Sequence, residues 1–333
     1  MNESKLKLAF YWAAGCGGCE VSVLDIDEKI LDIAKVADIV MWPVAIDTKY
    51  EDLRNFPDQS IDITFFNGAI RNNENEEMAH LFRKKSKTLI AFGMCATGGG
   101  IVGLGNLFDK DQILREALVD SVSTENTEKI IPGGKTRLKE GETELPIMKD
   151  TVRALDQVAE VDYYVTGCPP QATQVIEAVN AILSGKLPPK GSVIGPEKSL
   201  CEECKRKPKE GEFKKIEKLL DRLDVVPDPE KCLLEQGFIC MGPATRAGCG
   251  AKCLEANVPC SGCSGPAPNI TDQGAKMISA ISSILQTEDE DKKSMKDVQR
   301  ELAKIKDPVG IFYRYYLAHS ILNKKRKDNA PSK

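Results

Sequence analysis

Short apolar runs alternate with segments of helical spacing over the first 187 residues. Five runs have the length and the β-branched or aromatic composition of buried strands. These runs are LKLAFYW (6–12), ADIVMWPV (37–44), IDITFFNGAI (61–70), KTLIAFGMC (87–95) and VDYYVTGC (161–168). Strands that are separated by helices indicate an α/β fold with a mostly parallel sheet.

Three segments between these runs have the pattern of helices. Residues 20–36 repeat apolar side chains at helical intervals, residues 74–87 are charged, and residues 171–185 end at a glycine, which commonly closes a helix. Residues 121–150 have no clear period and are rich in Gly, Pro and charge, which indicates a long excursion such as a surface hairpin. We therefore predict a flavodoxin-like parallel-sheet domain over residues 1–187.

The amino-acid composition of the chain changes after the Pro- and Gly-rich stretch LPPKGSVIGP (187–196). Residues 188–270 are short polar segments rich in cysteine, and they offer little apolar surface for a core of their own. Metal clusters are the obvious stabiliser, so we predict a cysteine-rich, cluster-stabilised domain of irregular and α-helical structure there. Residues 271–333 are predicted as a C-terminal extension, with helices over 273–286 and near 294–306 and a solvated basic tail.

Composition and charge argue against several classes of protein. The 333 residues are 41% hydrophobic and carry a formal net charge of −4, so nothing favours nucleic acid or an anionic membrane as a partner. No stretch approaches the roughly 20 apolar residues of a membrane span. The start of the chain lacks the pattern of a secretory signal and a twin-arginine pair, which makes the cytoplasm the expected location.

Cysteine is the unusual residue type, with 12 in the chain against two histidines, His80 and His319. An even number also suits disulfides, but a chain without an export signal is expected in a reducing compartment, where cysteines more often bind metal or catalyse. The scarcity of histidine argues against a zinc enzyme with imidazole ligands and against a histidine-based catalytic network.

Four cysteines follow three different predicted strands. Cys16 and Cys19 come after the first strand, Cys95 after the fourth and Cys168 after the fifth. Because the carboxyl ends of parallel strands share one sheet edge, where α/β sheets bind their ligands, we expect these four thiolates to converge. A thioredoxin-like redox pair needs only Cys16 and Cys19, and four thiolates also suit zinc, so both alternatives stay open.

The other eight cysteines form two local groups with the spacing of cluster or zinc ligands. The groups are Cys201, Cys204, Cys232 and Cys240, and then Cys249, Cys253, Cys260 and Cys263. Zinc ribbons and structural disulfides remain alternatives for these groups. Twelve cysteines divide into three sets of four, which favours three 4Fe–4S clusters, but neighbouring groups exchange ligands in ferredoxins, so the assignment to individual clusters stays open.

The order of these motifs resembles that of nickel–iron hydrogenase small subunits. The shared features are CxxC, GMCA followed by glycines, GCPP, and a tail with CLLEQGFICMGPATRAGC (232–249) and PCSGCSGP (259–266). By position, the resemblance implies a proximal set (Cys16, Cys19, Cys95, Cys168), a distal set (Cys201, Cys204, Cys232, Cys240) and a medial set (Cys249, Cys253, Cys260, Cys263). The chain looks closest to the soluble methyl-viologen-reducing type. That likeness implies a nickel–iron large subunit and a further electron-transfer subunit linked to heterodisulfide reductase as partners.

Three positions depart from the family pattern. Cys201 stands where many members have a histidine, and Cys253 adds a fourth medial cysteine where many have three. Both departures make all-thiolate sets, for which we expect lower reduction potentials. Gly15 stands where members often carry a glutamate before the first CxxC, and we interpret the nearby Glu20 as a surface or helix-capping carboxylate.

The resemblance implies an electron-transfer subunit of an oxidoreductase with no catalytic site of its own. A related quinone-reductase subunit shares the fold, but it has adjacent cysteines in place of CGGC and lacks the cysteine-rich tail. Two alternatives remain: an iron–sulfur subunit whose large-subunit partner lacks hydrogenase activity, and a zinc-binding interaction module. The basic run KRKPKEGEFKK (205–215) either docks an acidic electron-transfer partner or is a solvated loop.

Overall fold

A computed structural model describes residues 5–216, 218–221, 223, 225–285, 299–300 and 302–323. The strands are β1 (Leu6–Trp12), β2 (Ala37–Met41), β3 (Ile61–Asn67), β4 (Ile70–Asn72), β5 (Ser86–Phe92), β6 (Lys135–Leu138), β7 (Gly141–Glu144), β8 (Met148–Arg153), β9 (Tyr163–Val165) and β10 (Ser192–Val193). The α-helices include α1 (Gly18–Leu24), α2 (Lys29–Val36), α3 (Tyr50–Asn55), α4 (Asn73–Lys85), α5 (Met94–Gly98), α6 (Lys110–Arg115), α7 (Ala172–Leu183), α8 (Lys252–Glu255), α9 (Gln273–Ile284) and α10 (Pro308–Phe312).

Six strands form one parallel sheet in the order β2-β1-β3-β5-β9-β10. With β4 outside this sheet, the strand order is the flavodoxin-like one, which reverses beside the first strand. The predicted α/β fold is confirmed, and each predicted strand run overlaps one strand of the sheet. The edge strand β10 was not predicted, because it is two residues long and lies inside the Pro- and Gly-rich stretch.

The sheet is covered by apolar side chains on both faces, because successive residues of a strand point to opposite sides. On one face Tyr11 packs against Phe66 and Phe82, with ring centroids 4.9 and 5.1 Å away. On the other face the Phe10 ring stacks on Phe65 at 5.2 Å. The two faces belong to two separate apolar clusters, so the sheet is a buried middle layer.

The prediction of a single helix over residues 20–36 is wrong, because two helices, α1 and α2, occupy this segment. Asp27 lies between them with a φ of 53°, a left-handed conformation that L-residues adopt in turns but not inside a helix.

The predicted excursion over residues 121–150 contains the antiparallel hairpin of β6 and β7. The next strand, β8, pairs antiparallel with β4, outside the main sheet. Several apolar side chains of the excursion are exposed, namely Val122, Ile130, Ile131, Leu138, Leu145 and Ile147.

The cysteine-rich region has only short helical elements before α9. A third apolar cluster lies wholly between Leu200 and Leu317 and includes Phe238 and Met277. The predicted helix over 273–286 is confirmed by α9, whereas α10 was not predicted. Residues 294–298 and 301 of the second helix predicted near 294–306, and the basic tail from residue 324 onward, lie outside the described residues. The domain limits 1–187, 188–270 and 271–333 stay a prediction.

Candidate metal centres

The fold brings the four thiols of the proximal set together at the carboxyl edge of the sheet. Burial, followed by the neighbouring thiols of Cys95, Cys168 and Cys16, raises the pKa of Cys19. Burial also raises the pKa values of Cys95 and Cys168 to about 11 each. The expected convergence from three loops is therefore present, because β1, β5 and β9 end at the same edge of one parallel sheet.

Glycines make room for the sulfur atoms of the proximal set. A Cβ placed on Gly93, where φ is +81°, would lie 2.2 Å from Sγ of Cys19. A Cβ on Gly100, where φ is +58°, would lie 2.5 Å from Sγ of Cys95. Only glycine adopts these angles freely and leaves this space to the sulfur.

The thiols of the distal set also face one another. Burial raises the pKa of Cys201 to about 12, with further contributions from Cys240, Cys232 and Cys204. Burial likewise raises the pKa of Cys240 to about 11, although the backbone N–H groups of Gly242 and Cys260 donate to its sulfur. Such N–H donors stabilise the charged thiolate and tune a bound cluster.

The medial set lies between the other two. Burial raises the pKa of Cys263 to about 11, and the next contributions come from Cys249, Cys253 and Cys168 of the proximal set. At the other end, the N–H of Cys260 donates to Sγ of Cys240 of the distal set at 3.4 Å. The N–H of Gly262 donates to Sγ of Cys260 at 3.3 Å. The medial set is thus joined to the distal set by a hydrogen bond, and it lies near enough to Cys168 of the proximal set for the two thiols to interact electrostatically.

The donor chemistry of these sets suits bound iron–sulfur clusters. All 12 cysteines are free thiols, so none of them forms a disulfide. Four buried thiolates repel one another unless positive charge lies between them, and metal binding would release their protons. A single zinc ion needs each sulfur about 2.3 Å away, hence sulfurs within about 4 Å of one another. Among the described residues no group of three or more His, Cys, Asp or Glu side chains is arranged to hold one ion.

Glu20 is not the surface or capping carboxylate that the sequence suggested. Its side chain is 6% exposed and accepts hydrogen bonds from the Trp42 indole and the Asn67 amide. Burial raises the pKa of Glu20, while these two donors act to lower it. The error arose because a charged residue is rarely buried unless it is paired, and its partners lie 22 and 47 positions away.

Within the part of the chain that the structure describes, no helix has the length and apolar character needed to cross a membrane.

Known proteins resemble this chain in sequence over nearly its whole length. The iron-sulfur subunit of the F420-non-reducing hydrogenase of Archaeoglobus profundus is 42% identical over 325 residues, which cover 96% of this chain and 98% of the relative. The corresponding subunit of the F420-non-reducing hydrogenase of Methanothermobacter thermautotrophicus is 39% identical, covering 96% and 97%. The family model described as NADH ubiquinone oxidoreductase, 20 Kd subunit, matches residues 16–182. The chain belongs to the nickel–iron hydrogenase small subunits.

A nickel–iron hydrogenase small subunit is the electron-transfer subunit of an oxidoreductase, carries iron–sulfur clusters and works with a large subunit. The 20 Kd subunit match ends at residue 182, before the cysteine-rich region, whereas the two archaeal relatives extend through it. The structure of an NAD+-reducing [NiFe]-hydrogenase in the H2-reduced state matches with a TM-score of 0.48 at 26% identity. That match covers 56% of this chain and 94% of the other.

Sequence reasoning missed two groups of residues around these sets. Trp42 and Asn67, which bind Glu20, carry no motif and lie on different elements. The segment from Tyr313 to Asn323 reads as an ordinary extension, yet Tyr315 contacts both the proximal and the medial loops. No local signal marks these residues, because each contact joins positions far apart in the sequence.

Proposed function

We propose that this small subunit passes electrons through three 4Fe–4S clusters, one on each set of four cysteines. The proximal set would receive electrons from the nickel–iron site of a large subunit. The medial and distal sets would lead them to a further electron-transfer subunit linked to heterodisulfide reductase. When bound, the clusters would each carry single electrons. The residues of the chain would hold the clusters and set the distances between them. The observation that supports this order most directly is the hydrogen bond between Cys260 and Cys240, together with the electrostatic effect of Cys168 on Cys263.

The surroundings of the proximal set support a large subunit at this end. Cys16 is exposed, and Trp12 above its loop is 40% exposed. The Trp12 indole N–H donates to the Gly15 carbonyl at 3.2 Å and so holds the loop against β1. Apolar side chains at the same edge, Ile101 and Phe108, are about half exposed at 51% and 54%. An apolar rim around an accessible thiol fits a stable protein partner.

The distal set lies behind the basic run over residues 205–215. Lys205 forms an ion pair with Glu255 at 2.8 Å, and Arg206 donates to Asn257 at 2.8 Å. The first two residues of the run therefore form contacts within the chain. The later lysines of the run are the part that we propose for docking an acidic acceptor. Charge reversal at Lys209 and Lys214 should slow electron transfer to the acceptor at low salt only, because surface attraction is screened by salt. Unchanged rates at low salt would remove the docking proposal.

The all-thiolate donor sets support low reduction potentials. Cys201 and Cys253 add anionic ligands where imidazole or no ligand is common in the family, and extra negative charge disfavours the reduced cluster. Low potentials suit an acceptor of the ferredoxin or flavin type. We propose the cytoplasm as the location, the sheet domain 1–187 as the holder of the proximal cluster, and residues 188–270 as the holder of the other two.

Iron analysis and a hydrogen assay on the anaerobically purified complex test the proposal. We expect a brown protein with about 12 iron atoms per chain, four for each set of ligands, and hydrogen-dependent reduction of viologen. A colourless chain with bound zinc would instead support an interaction module. A full complement of iron without hydrogen-dependent reduction would support a partner that lacks hydrogenase activity.

A further inference from the structure

The C-terminal clasp, residues 313–323, lies between the loops that carry the proximal and the medial cysteines. Its central residues are buried, with Leu317 at 0% and Ala318 at 1% exposure. Tyr313 and Leu317 belong to the apolar cluster of the cysteine-rich region. The clasp is therefore part of the folded structure, although its sequence shows neither a cysteine nor a regular period.

On the proximal side, the clasp contacts the glycine turn that follows Cys95. The N–H of Gly100 donates to the carbonyl of Tyr315 at 3.1 Å. A Cβ on Gly98 would lie 2.3 Å from Cδ2 of Tyr316, and one on Gly99 would lie 2.6 Å from Cβ of Ala318. The clasp thus lies directly on the turn, and the absence of side chains there allows the close approach.

Two further contacts anchor the clasp to the sheet domain. Nε2 of His319 lies 3.0 Å from Oδ1 of Asp156, and the Gln157 amide donates to the carbonyl of Ala318 at 2.8 Å. The Asn106 amide donates to Oδ1 of Asn323 at 2.9 Å. These bonds fix the clasp relative to the turn at Leu155–Gln157, between β8 and β9, and to Asn106 in the segment after Cys95.

On the medial side, the same clasp contacts the loop between two medial ligands. The hydroxyl of Tyr315 lies 3.3 Å from Oγ of Ser261, which stands between Cys260 and Cys263. A Cβ on Gly274 of α9 would lie 2.4 Å from Cζ of Tyr313. The N–H of Ile321 donates to Asp272 at 3.0 Å. Tyr315 therefore joins the two loops by itself, through its carbonyl on one side and its hydroxyl on the other.

We infer that the clasp positions the proximal and medial clusters relative to each other, with Tyr315 as the central positioning residue. Electron tunnelling falls steeply with the distance between carriers, so a small shift between these loops changes the transfer rate. The inference rests on the proposed three-cluster function. The clasp contains no cysteine and binds no cluster itself; its role is to set the distance over which one electron transfer takes place.

Matched hydroxyl deletions test the inference in the complex with the large subunit. Tyr315→Phe and Ser261→Ala each remove one side of the bridging contact, and Ser261→Thr retains a hydroxyl. Tyr50→Phe makes the same chemical change on α3, which belongs to neither loop. The readouts are the iron content, the magnetic interaction between the reduced proximal and medial clusters in electron paramagnetic resonance, and the rate of electron transfer from hydrogen to viologen.

We expect wild-type iron content in all four variants. In Tyr315→Phe and Ser261→Ala, the magnetic interaction should change. The transfer rate should fall about fivefold, because the loss of one hydrogen bond lowers by about this factor the population in which the two loops are held together. The double variant should be no slower than either single variant, because both remove the same contact. Ser261→Thr and Tyr50→Phe should retain wild-type spectra and rates.

A larger perturbation comes from Gly98→Ala, whose new Cβ would meet the Tyr316 ring and displace the clasp. We expect a larger change in the magnetic interaction than in Tyr315→Phe. Unchanged interaction and rate in Tyr315→Phe, Ser261→Ala and Gly98→Ala, at full iron content, would overturn the inference. Reduction with dithionite produces the same spectra without hydrogen, so a wild-type complex that carries iron but does not use hydrogen would refute only the hydrogenase role.

Discussion

The sheet domain and the cysteine-rich region bury their interiors by different means. In the sheet domain, Tyr11, Phe66 and Phe82 are at most 1% exposed and fill one face of the parallel sheet, while Phe10 and Phe65 are buried on the other. In the cysteine-rich region, the apolar cluster is interleaved with thiols, and Cys240 and Cys260 are themselves buried members of it. The first core is complete without a cofactor, whereas the second contains thiols that need one.

The stability of each part therefore has a different source. Burial of apolar area contributes roughly 25 cal/mol per Å² to the free energy of folding and needs no ligand, so the sheet domain should fold without metal. Without metal the buried thiols stay protonated, as their raised pKa values indicate, and they form strong bonds only when metal replaces the protons. We therefore expect the stability of the cysteine-rich region to depend on iron, and that of the sheet domain to depend on it only at one edge.

Removal of iron should have the largest effect and should separate the two parts. Structural metal sites contribute on the order of 10 kcal/mol to folding, so chelation should abolish amide protection over residues 200–285. Strands β1, β3 and β5 should stay protected, because both faces of their sheet are apolar. Hydrogen exchange followed by mass spectrometry measures both. Simultaneous loss of protection in both parts would contradict the comparison.

Gly93→Ala should remove the proximal cluster and leave the other two. Its Cβ would lie 2.2 Å from the Cys19 sulfur, so we expect a loss of about four iron atoms per chain. Gly185→Ala is the matched control, because Gly185 also has a positive φ, +65°, but has nothing within 4 Å of a new Cβ. Iron analysis of both variants is the measurement. Equal iron loss in the two would show that backbone strain, rather than contact with sulfur, is responsible.

Asp162→Ala should destabilise the sheet domain by about 3 kcal/mol, the cost of breaking a buried ion pair. Asp162 is 2% exposed and lies 2.6 Å from the Arg83 guanidinium, and it accepts the Leu89 N–H at 2.8 Å. Urea unfolding followed by far-ultraviolet circular dichroism measures this loss. The same change at exposed Asp38, which pairs with Lys5, should cost little and serves as the control.

The contribution of Asp162 to the free energy of unfolding should depend on pH in one direction. Burial would raise the pKa of Asp162, but hydrogen bonds from Lys190, Arg83 and the Leu89 N–H hold it below the ordinary value of 3.8. The ionised group therefore stabilises the fold above pH 3.8, and this contribution is lost as the pH falls through the lowered pKa. Asp162→Asn should flatten that part of the curve. An identical acid dependence in wild type and variant would exclude Asp162 as its source.

Glu20→Ala should have the smallest effect, about 2 kcal/mol in the free energy of unfolding, because it leaves the buried donors of Trp42 and Asn67 without their acceptor. Glu20→Gln keeps one oxygen acceptor and should recover part of this loss. Thermal and urea unfolding of both variants, with iron content as a control, measure the difference. Equal stability of Glu20→Ala and wild type would mean that water satisfies the two donors.

Much of the sheet domain was predictable because its signals are local. Apolar runs of strand length mark β1, β2, β3, β5 and β9, and the turn at Asp27 is the point at which the helical prediction failed. The CxxC spacing and the placement of Cys95 and Cys168 after strands predicted which thiols meet, because parallel strands end at one edge. The burial of Glu20 was not predictable, because its acceptor role depends on elements that pack onto α1 only in the fold.

The fold class follows from the amino-acid sequence alone, and the spacing of the 12 cysteines predicts three sets of four, because periodicity and spacing are properties of neighbouring residues. The hydrogen bond between the medial and distal sets, and the position of the clasp against the turn after Cys95, emerge only in the folded chain. These contacts join residues as far as 217 positions apart, and such pairs meet only when packing of the whole chain brings them together.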